Sequence, residues 1–367
     1  MALKRTPLFE SHIKAQGRMV DFGGWELPVQ YQGILKEHEM VRTKAGLFDV
    51  SHMGEVIIKG EGAQDFIQRL VCNEVKKMAD KQVLYSPMCY PTGGVVDDLL
   101  IYRYHPQHYL LVVNASNTDK DFAWIMEQAP VGLDIQNVSS QIAQLAVQGP
   151  LAQQILQELT DFDLEGIKFF WFEPSVMIGG VDCIMSRTGY TGEDGFELYV
   201  PNAQAPALWE KILTAGGERI APIGLGARDS LRFEAKLPLY GQEMDQDITP
   251  LEAGLGFFVK LEGEDFIGRD ALIKQKQAGL KRSQAEFRMV ERGIPRAHYE
   301  VCKDGRPIGF VSSGLMAPTL GSSIGLALID HQYNAPGETI DIMIRDKPVK
   351  AEIGKGIFYK KKTRQGQ

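Results

Sequence analysis

Apolar positions in this chain change period several times. Ala63, Phe66, Ile67, Leu70 and Val71 fall at i, i+3, i+4, i+7 and i+8 behind a Gly60-Glu-Gly62 opening, which is the stripe of an amphipathic helix. A strand-like Glu55–Lys59 precedes it, and a helical stretch around Ile34–Lys44 lies upstream, beyond a turn signal at Gly23-Gly24. Tyr109–Val113 reads as a strand ending at Asn114, and Phe122–Met126 as a helix. Leu145-Ala-Val-Gln-Gly-Pro150 reads as a strand entering a helix, with Pro150 in the first turn and Leu151, Ile155 and Leu159 as the apolar face. Gly224–Ala235 is a further helix, in which Ala227, Leu231 and Ala235 share one buried face. Strands and helices mixed with antiparallel hairpins predict an α+β fold rather than a doubly wound sheet.

From about Ala285 the helical period disappears. Ile340, Ile342 and Ile344 alternate with Asp341, Met343 and Arg345, and Val349, Ala351 and Ile353 resume the alternation after a turn at Arg345–Pro348. Short strands separated by Gly and Pro predict a small C-terminal all-β barrel or sandwich. The Lys-rich helical stretch Asp265–Arg282 is the expected boundary before it.

Length and composition narrow the function classes. At 367 residues the chain exceeds one ordinary core, and 44% hydrophobic with 24% charged residues are values of a globular protein. A net charge of −7 gives no reason to expect nucleic acid. Seven scattered histidines show no metal-ligand spacing, so no metal is expected. Cys72, Cys89, Cys183 and Cys302 form no paired motif and read as buried thiols of a reducing compartment. No apolar run approaches the roughly 18 residues of a membrane span, and Met-Ala-Leu-Lys-Arg-Thr-Pro-Leu carries no targeting pattern, so the expected location is cytoplasmic.

Two polar clusters carry candidate chemistry. Tyr85–Arg103 places Asp97 and Asp98 between a Gly-Gly turn and a buried strand. Neighbours on a strand point to opposite faces, so one aspartate is expected in solvent and the other in an interior that needs a carboxylate. The alternative is a turn pair that ends a hairpin. Ser186–Val200 is rich in glycine and aims Tyr190 and Glu197 at one pocket, or is merely a polar hairpin loop. Arg228 opposes the dipole in the first turn of its helix, and neither Asp229 nor Glu234 has the spacing to pair with it. There is no usable phosphate loop, and Gly321-Ser-Ser-Ile-Gly325 lacks the helix a nucleophile elbow needs, so no nucleotide, flavin or hydrolase is indicated. Aromatic rings, carboxylates and an arginine together suit a flat heterocycle with N–H groups and an acidic tail.

Longer blocks then resemble one family. Met19-Val-Asp-Phe-Gly-Gly-Trp-Glu-Leu-Pro-Val-Gln-Tyr31, Gly46-Leu-Phe-Asp-Val-Ser-His-Met-Gly-Glu55, Gly93-Gly-Val-Val-Asp-Asp98, Thr188-Gly-Tyr-Thr-Gly-Glu193 and Ala227-Arg-Asp-Ser-Leu-Arg232 resemble the aminomethyltransferases, the T-proteins of the glycine cleavage system. Leu239-Tyr-Gly-Gln-Glu243, Phe266-Ile-Gly-Arg-Asp-Ala-Leu272 and Pro318-Thr-Leu-Gly-Ser-Ser-Ile-Gly325 continue it in order to the C-terminus. The resemblance implies a three-lobed fold: a folate-binding region over 1–265 with 55–137 as an inserted lobe, a connector over 266–284, and a barrel-like domain over 285–367. It implies transfer of a one-carbon unit from the aminomethyl-lipoyl arm of an H-protein to tetrahydrofolate, giving 5,10-methylenetetrahydrofolate and ammonia. By position, Asp98 matches the central acidic residue and Asn114 a polar residue beside it. Tyr85, Tyr102, Tyr190 and Glu197 match pterin-pocket residues, Arg228 a folate or substrate contact, and Tyr359 a terminal contact. The basic Lys4-Arg5, Arg292, Arg296 and Lys360–Arg364 are candidates for steering an acidic carrier.

Three other readings remain open at this point. A relative that moves methyl groups from another donor would keep the pterin motifs. A folate-binding accessory of iron–sulfur maintenance would need a cysteine motif, yet no cysteine lies between Cys183 and Cys302. A scaffold with polar loops would leave the agreement of three loops on one pocket unexplained.

Overall fold

The computed structural model describes residues 2–354, 356 and 358–361. The chain opens with α1 (Phe9–Lys14) and a ribbon of β1 (Arg18–Phe22) and β2 (Trp25–Gln30), then α2 (Ile34–Thr43), β3 (Ala45–Asp49), β4 (Gly54–Lys59) and α3 (Ala63–Leu70). Next come β5 (Val83–Cys89), β6 (Val95–His105), β7 (His108–Val113), α4 (Thr118–Gln128), β8 (Asp134–Asn137) and β9 (Ile142–Gln148). They are followed by α5 (Ala152–Gln157), β10 (Phe172–Ile178), β11 (Val181–Ser186), β12 (Gly195–Pro201), α6 (Ala205–Gly216), β13 (Ile220–Pro222) and α7 (Leu225–Glu234). After α8 (Arg269–Ala278), six strands complete the described chain: β14 (Arg282–Met289), β15 (Glu300–Lys303), β16 (Arg306–Ala317), β17 (Ser322–Asp330), β18 (Thr339–Ile344) and β19 (Lys347–Ile353).

These elements make three lobes. One sheet runs β10-β11-β12-β9-β3-β13, a second runs β5-β6-β7-β4-β8, and the last six strands close a barrel β14-β17-β16-β15-β18-β19. Strand alternation gives each open sheet two apolar faces. Val56, Ile58, Leu99 and Ile101 of the five-stranded sheet bury against α3 and α4, with Phe66, Ile67 and Ile125. Leu47, Leu145, Val147, Phe196 and Leu198 of the six-stranded sheet bury against α5 and α6, with Ile155, Leu208, Trp209 and Ile212. The remaining faces meet: Val83, Tyr102, Leu110 and Val112 of one sheet share a core with Phe172 and Tyr199 of the other. The order across the molecule is helices, sheet, sheet, helices, and the space between the sheets is where polar side chains converge.

Two local expectations shift. Pro150 precedes the helix instead of entering it, since α5 starts at Ala152, and Leu159 packs on that core from beyond the helix end. Cys72 and Cys89 are 17 positions apart in sequence, yet their sulfurs lie 3.4 Å apart in a buried apolar cluster with Val259, Leu261, Phe266 and Leu272.

The barrel is tied to the first region by a buried polar joint. Arg42 from α2 donates to Glu193 Oε1 (2.8 Å) and Glu234 Oε2 (3.0 Å), and stacks on the Tyr359 ring at 3.9 Å. His38 meets Ser230 and Thr319 at 2.8 Å each, and the Thr319 amide donates to Glu234 Oε1 at 2.8 Å. A buried carboxylate such as Glu234 is tolerable only with such partners.

Candidate functional site

The site is built on two strands and one helix. On β6, Asp97, Leu99 and Ile101 share one face and Asp98, Leu100 and Tyr102 the other. The expectation that one aspartate reaches solvent fails: α4 covers its face. Asp97 is fully buried there, accepting from the Asn114 amide (2.9 Å), Asn114 Nδ2 (2.9 Å) and Asn117 Nδ2 (2.7 Å). Asp98 looks into the space between the sheets, where it accepts from the Tyr85 hydroxyl at 3.0 Å and from Asn114 Nδ2 at 2.8 Å. Burial, then the adjoining Asp97 charge, push Asp98 up to about 7, against the pull of those two hydrogen bonds. Burial and the Asp98 charge likewise raise Tyr85, which stays a neutral donor. Phe258 packs edge-on to Tyr85 at 4.7 Å between ring centres.

Across the gap, Tyr190 lies in the β11–β12 loop. Its hydroxyl donates to the Pro238 carbonyl, and the Arg228 guanidinium stands 4.7 Å from its ring centre. Among the described residues no side chain pairs with that guanidinium: Asp229 is taken by Arg232 (2.9 Å) and Glu234 by Arg42 and His38. Burial lowers Arg228 from its ordinary value, partly offset by Tyr190 and Glu197. Glu197 is itself 6% exposed, holds Gln144 Nε2 at 3.1 Å and accepts from Thr188, and burial still raises it. Burial raises Tyr190, and the Asp98 charge on the other sheet adds to that rise against the pull of Arg232 and Arg228.

Tyr102 and Tyr359 sit outside that ring. Tyr102 is fully buried four residues deeper along β6, its hydroxyl 2.8 Å from Tyr199 and 3.1 Å from Ser186, behind Thr188 and Glu197. Tyr359 donates to Glu193 at 2.7 Å, and its amide bonds the Glu234 carbonyl. Glu234 is six residues from Arg228, about 9 Å along α7. Of the basic steering candidates, Arg5 is paired with Glu26 at 2.9 Å, while Lys362, Thr363 and Arg364 lie outside the described residues.

Sequence reasoning passed over His52. It is 3% exposed, packs edge-on against Phe22, and its Nδ1 has no partner among the described residues. Burial and the Arg228 charge lower it to about 4, so it is a neutral imidazole. Its only signal was membership of the Gly46–Glu55 block. A narrow crevice nearby is lined by Leu27, Pro28, Phe48, Asp49, Ile223 and Arg228, among others.

Comparison with known proteins assigns this arrangement a class. Residues 8–263 match the GCVT N-terminal domain and residues 282–360 the glycine cleavage T-protein C-terminal barrel domain. The chain belongs to the glycine cleavage T-protein family. It is 57% identical over 361 residues to aminomethyltransferases of Desulfitobacterium hafniense and Caldanaerobacter subterraneus, covering 98% of this chain and 99% and 96% of theirs. The structure of glycine cleavage system aminomethyltransferase T from Bartonella henselae superposes with a TM-score of 0.91 at 32% identity, over 98% of this chain and 99% of that one. The activity class is therefore aminomethyl transfer, and among the described residues no helix is long and apolar enough to cross a membrane.

Proposed function

We propose that the chain passes the one-carbon unit of an aminomethyl group, carried on the lipoyl arm of an H-protein, to tetrahydrofolate between its two sheets. The observation that carries this reading is the half-buried Arg228 guanidinium, stacked on Tyr190 with no side-chain counter-ion among the described residues, while Asp98 and Tyr85 stand on the opposing sheet. A cation drawn partly out of water without a carboxylate is costly unless a ligand completes it. The donor set fits a reduced pterin: Asp98 and Glu197 accept from N–H groups, Tyr190 offers a ring face, and the neutral His52 has a nitrogen to spare. Tetrahydrofolate supplies a ready amine nucleophile, so no activated serine or cysteine is required.

The residues of the chain then do three things. Asp98, held by Tyr85 and Asn114, lies where positive charge develops on the carbon as the thiolate leaves, and its carboxylate stabilises that charge. With a value near neutrality, Asp98 also holds or releases a proton there. The walls from both sheets orient the two reactants and exclude water, which otherwise intercepts the carbon. Tyr102 and Tyr199 buttress Glu197 through Thr188.

The test mixes the purified chain with aminomethyl-loaded H-protein and tetrahydrofolate and follows ammonia and 5,10-methylenetetrahydrofolate together. Both are expected in equal amounts. Asp98→Asn is expected to lower turnover by about a hundredfold or more while folate binding persists. Folate binding without either product, or a fully active Asp98→Asn, defeats the reading.

A further inference from the structure

Behind Asp98 lies a set of groups the proposed chemistry does not use. The face of β6 opposite the reaction space carries Asp97, and α4 lays Asp121 against it. Both carboxyls are completely buried. Asp97 accepts three N–H bonds, two from Asn114 and one from Asn117. Every one of them requires an acceptor at Asp97, which makes it the better acceptor of the two carboxyls for a shared proton. Asp121 differs: Lys120 Nζ donates to its Oδ1 at 2.9 Å, while no N–H or hydroxyl donor reaches its buried Oδ2. Two buried carboxylates in contact cannot both be charged. The buried Asp121 Oδ2, which lacks any donor among the described residues, is the oxygen free to carry the proton and offer it to its neighbour Asp97, whose proximity raises Asp121.

We propose that Asp97 and Asp121 are a proton-sharing positioning pair, in which Asp121 donates to Asp97, Asp97 fixes Asn114 by its amide and side chain, and the pair's single negative charge sets the protonation of Asp98. This rests on the reading of Asp98 as the carboxylate at the reacting carbon. Asn114 Nδ2 forks between Asp97 Oδ1 and Asp98 Oδ1, at 2.9 and 2.8 Å, so one amide couples the buried face of β6 to the reactive one. The loop between β7 and α4 is folded around the Asp97 carboxylate, which is why Asn114 stands where it does. Neither Asp97 nor Asp121 touches the reaction space; both act through Asn114 and through charge.

The groups facing this core from each element support the assignment. Tyr85 of β5 donates to Asp98, and Tyr190 of the β11–β12 loop is raised by burial and then by the Asp98 charge, against the pull of Arg232 and Arg228 of α7. Tyr240 donates to the Val95 carbonyl at 3.2 Å and is raised by burial and by Asp97 and Asp121. Lys120 of α4 is a cation on the pair's side; it also reaches the Val96 carbonyl and stands over the Tyr240 ring. Burial and Asp97 move Asp121 up to about 10, in agreement with a neutral acid throughout the physiological range.

Two measurements on the full chain test the pair. Asn at position 121 keeps an oxygen for Lys120 and an N–H for Asp97, so Asp121→Asn preserves the packing. The infrared difference spectrum between wild type and Asp121→Asn at pH 8 is expected to show loss of one protonated-carboxyl C=O band; a difference spectrum with only carboxylate bands overturns the pair. The second measurement is the pH profile of single-turnover transfer. The limb that Asp98→Asn abolishes is expected to move to lower pH by about one unit or more in Asp97→Asn, because a neighbouring negative charge is gone. A limb that stays in place shows that burial alone sets Asp98, and overturns the coupling. If Asp98→Asn proves fully active the functional reading falls, yet the infrared result still decides the pair.

Discussion

Glu37 offers the sharpest test of how the fold holds its arginine. The residue is 1% exposed in α2, and its carboxylate gathers four backbone amides. Oε1 accepts from Tyr31 (2.6 Å), Gln32 (2.8 Å) and Gly33 (3.1 Å), and Oε2 accepts from Gly224 (2.8 Å). Gly224 is the residue preceding α7, and a side chain there would strike Val29 at 2.5 Å, so the start of the Arg228 helix is pinned from two sides. Hydrogen bonds to a charged group contribute about 1.5–3 kcal/mol each, but Tyr31 and Gly33 are half-buried and Gln32 is exposed, so their amides regain water when the carboxylate is lost. Glu37→Ala should therefore cost about 3–5 kcal/mol rather than the full sum. Glu37→Gln is more selective: its oxygen can still serve the Tyr31–Gly33 loop, while its amide faces the Gly224 N–H, donor against donor. That variant should cost about 1–3 kcal/mol and weaken substrate binding through a displaced Arg228. Urea titrations at matched slope read the stability, and initial rates at low denaturant read the site. A loss under about 1 kcal/mol for Glu37→Ala, or a Gln variant equal to wild type in both readouts, refutes the reasoning.

Two other substitutions probe buried charge directly. Arg228→Ala removes a half-buried cation with no side-chain counter-ion among the described residues, so stability should change by less than about 1 kcal/mol while kcat/KM falls about tenfold or more; parallel urea and rate measurements would show a structural arginine if stability fell instead. Glu55 is fully buried on β4 with neither oxygen partnered among the described residues, and burial raises it well above its ordinary 4.5. A raised folded-state value means no cost below the unfolded value and a growing cost as pH rises beyond it, so Glu55→Leu should stabilise the chain progressively from pH 5 to 8. A pH-independent effect in the same titrations would mean that Glu55 is solvated after all.

The parts of this molecule that could be read from the chain are those decided within about ten residues of sequence. The stripe from Ala63 to Val71, the alternation through Asp97 and Asp98, and the strand period at Ile340–Ile344 each follow from local geometry, and the structure has them as α3, β6 and β18. What local geometry cannot supply is the object that covers a face. The period of β6 separates Asp97 from Asp98 correctly, yet only the fold shows that α4, some twenty residues downstream, closes over Asp97. The same holds for Cys72 and Cys89, brought together by the pairing of Val71 with Met88, and for Arg42, whose partners Glu193, Glu234 and Tyr359 come from three later elements.

This division has a physical consequence for the site. Asp98 and Tyr85 come from the five-stranded sheet, and Glu197 and the loop of Tyr190 from the six-stranded sheet, with Arg228 on the helix beside it. No two of these sheets' contributions are held by a shared local turn; they are held by the packing of Tyr102 against Phe172 and Tyr199 in the core between them. A carboxylate and an uncompensated cation are thus kept apart by the fold itself, each costing stability, until a ligand with complementary charge enters. Chemistry that needs both reactants oriented and dry gains from that separation, because neither group is neutralised by the other before the substrate arrives.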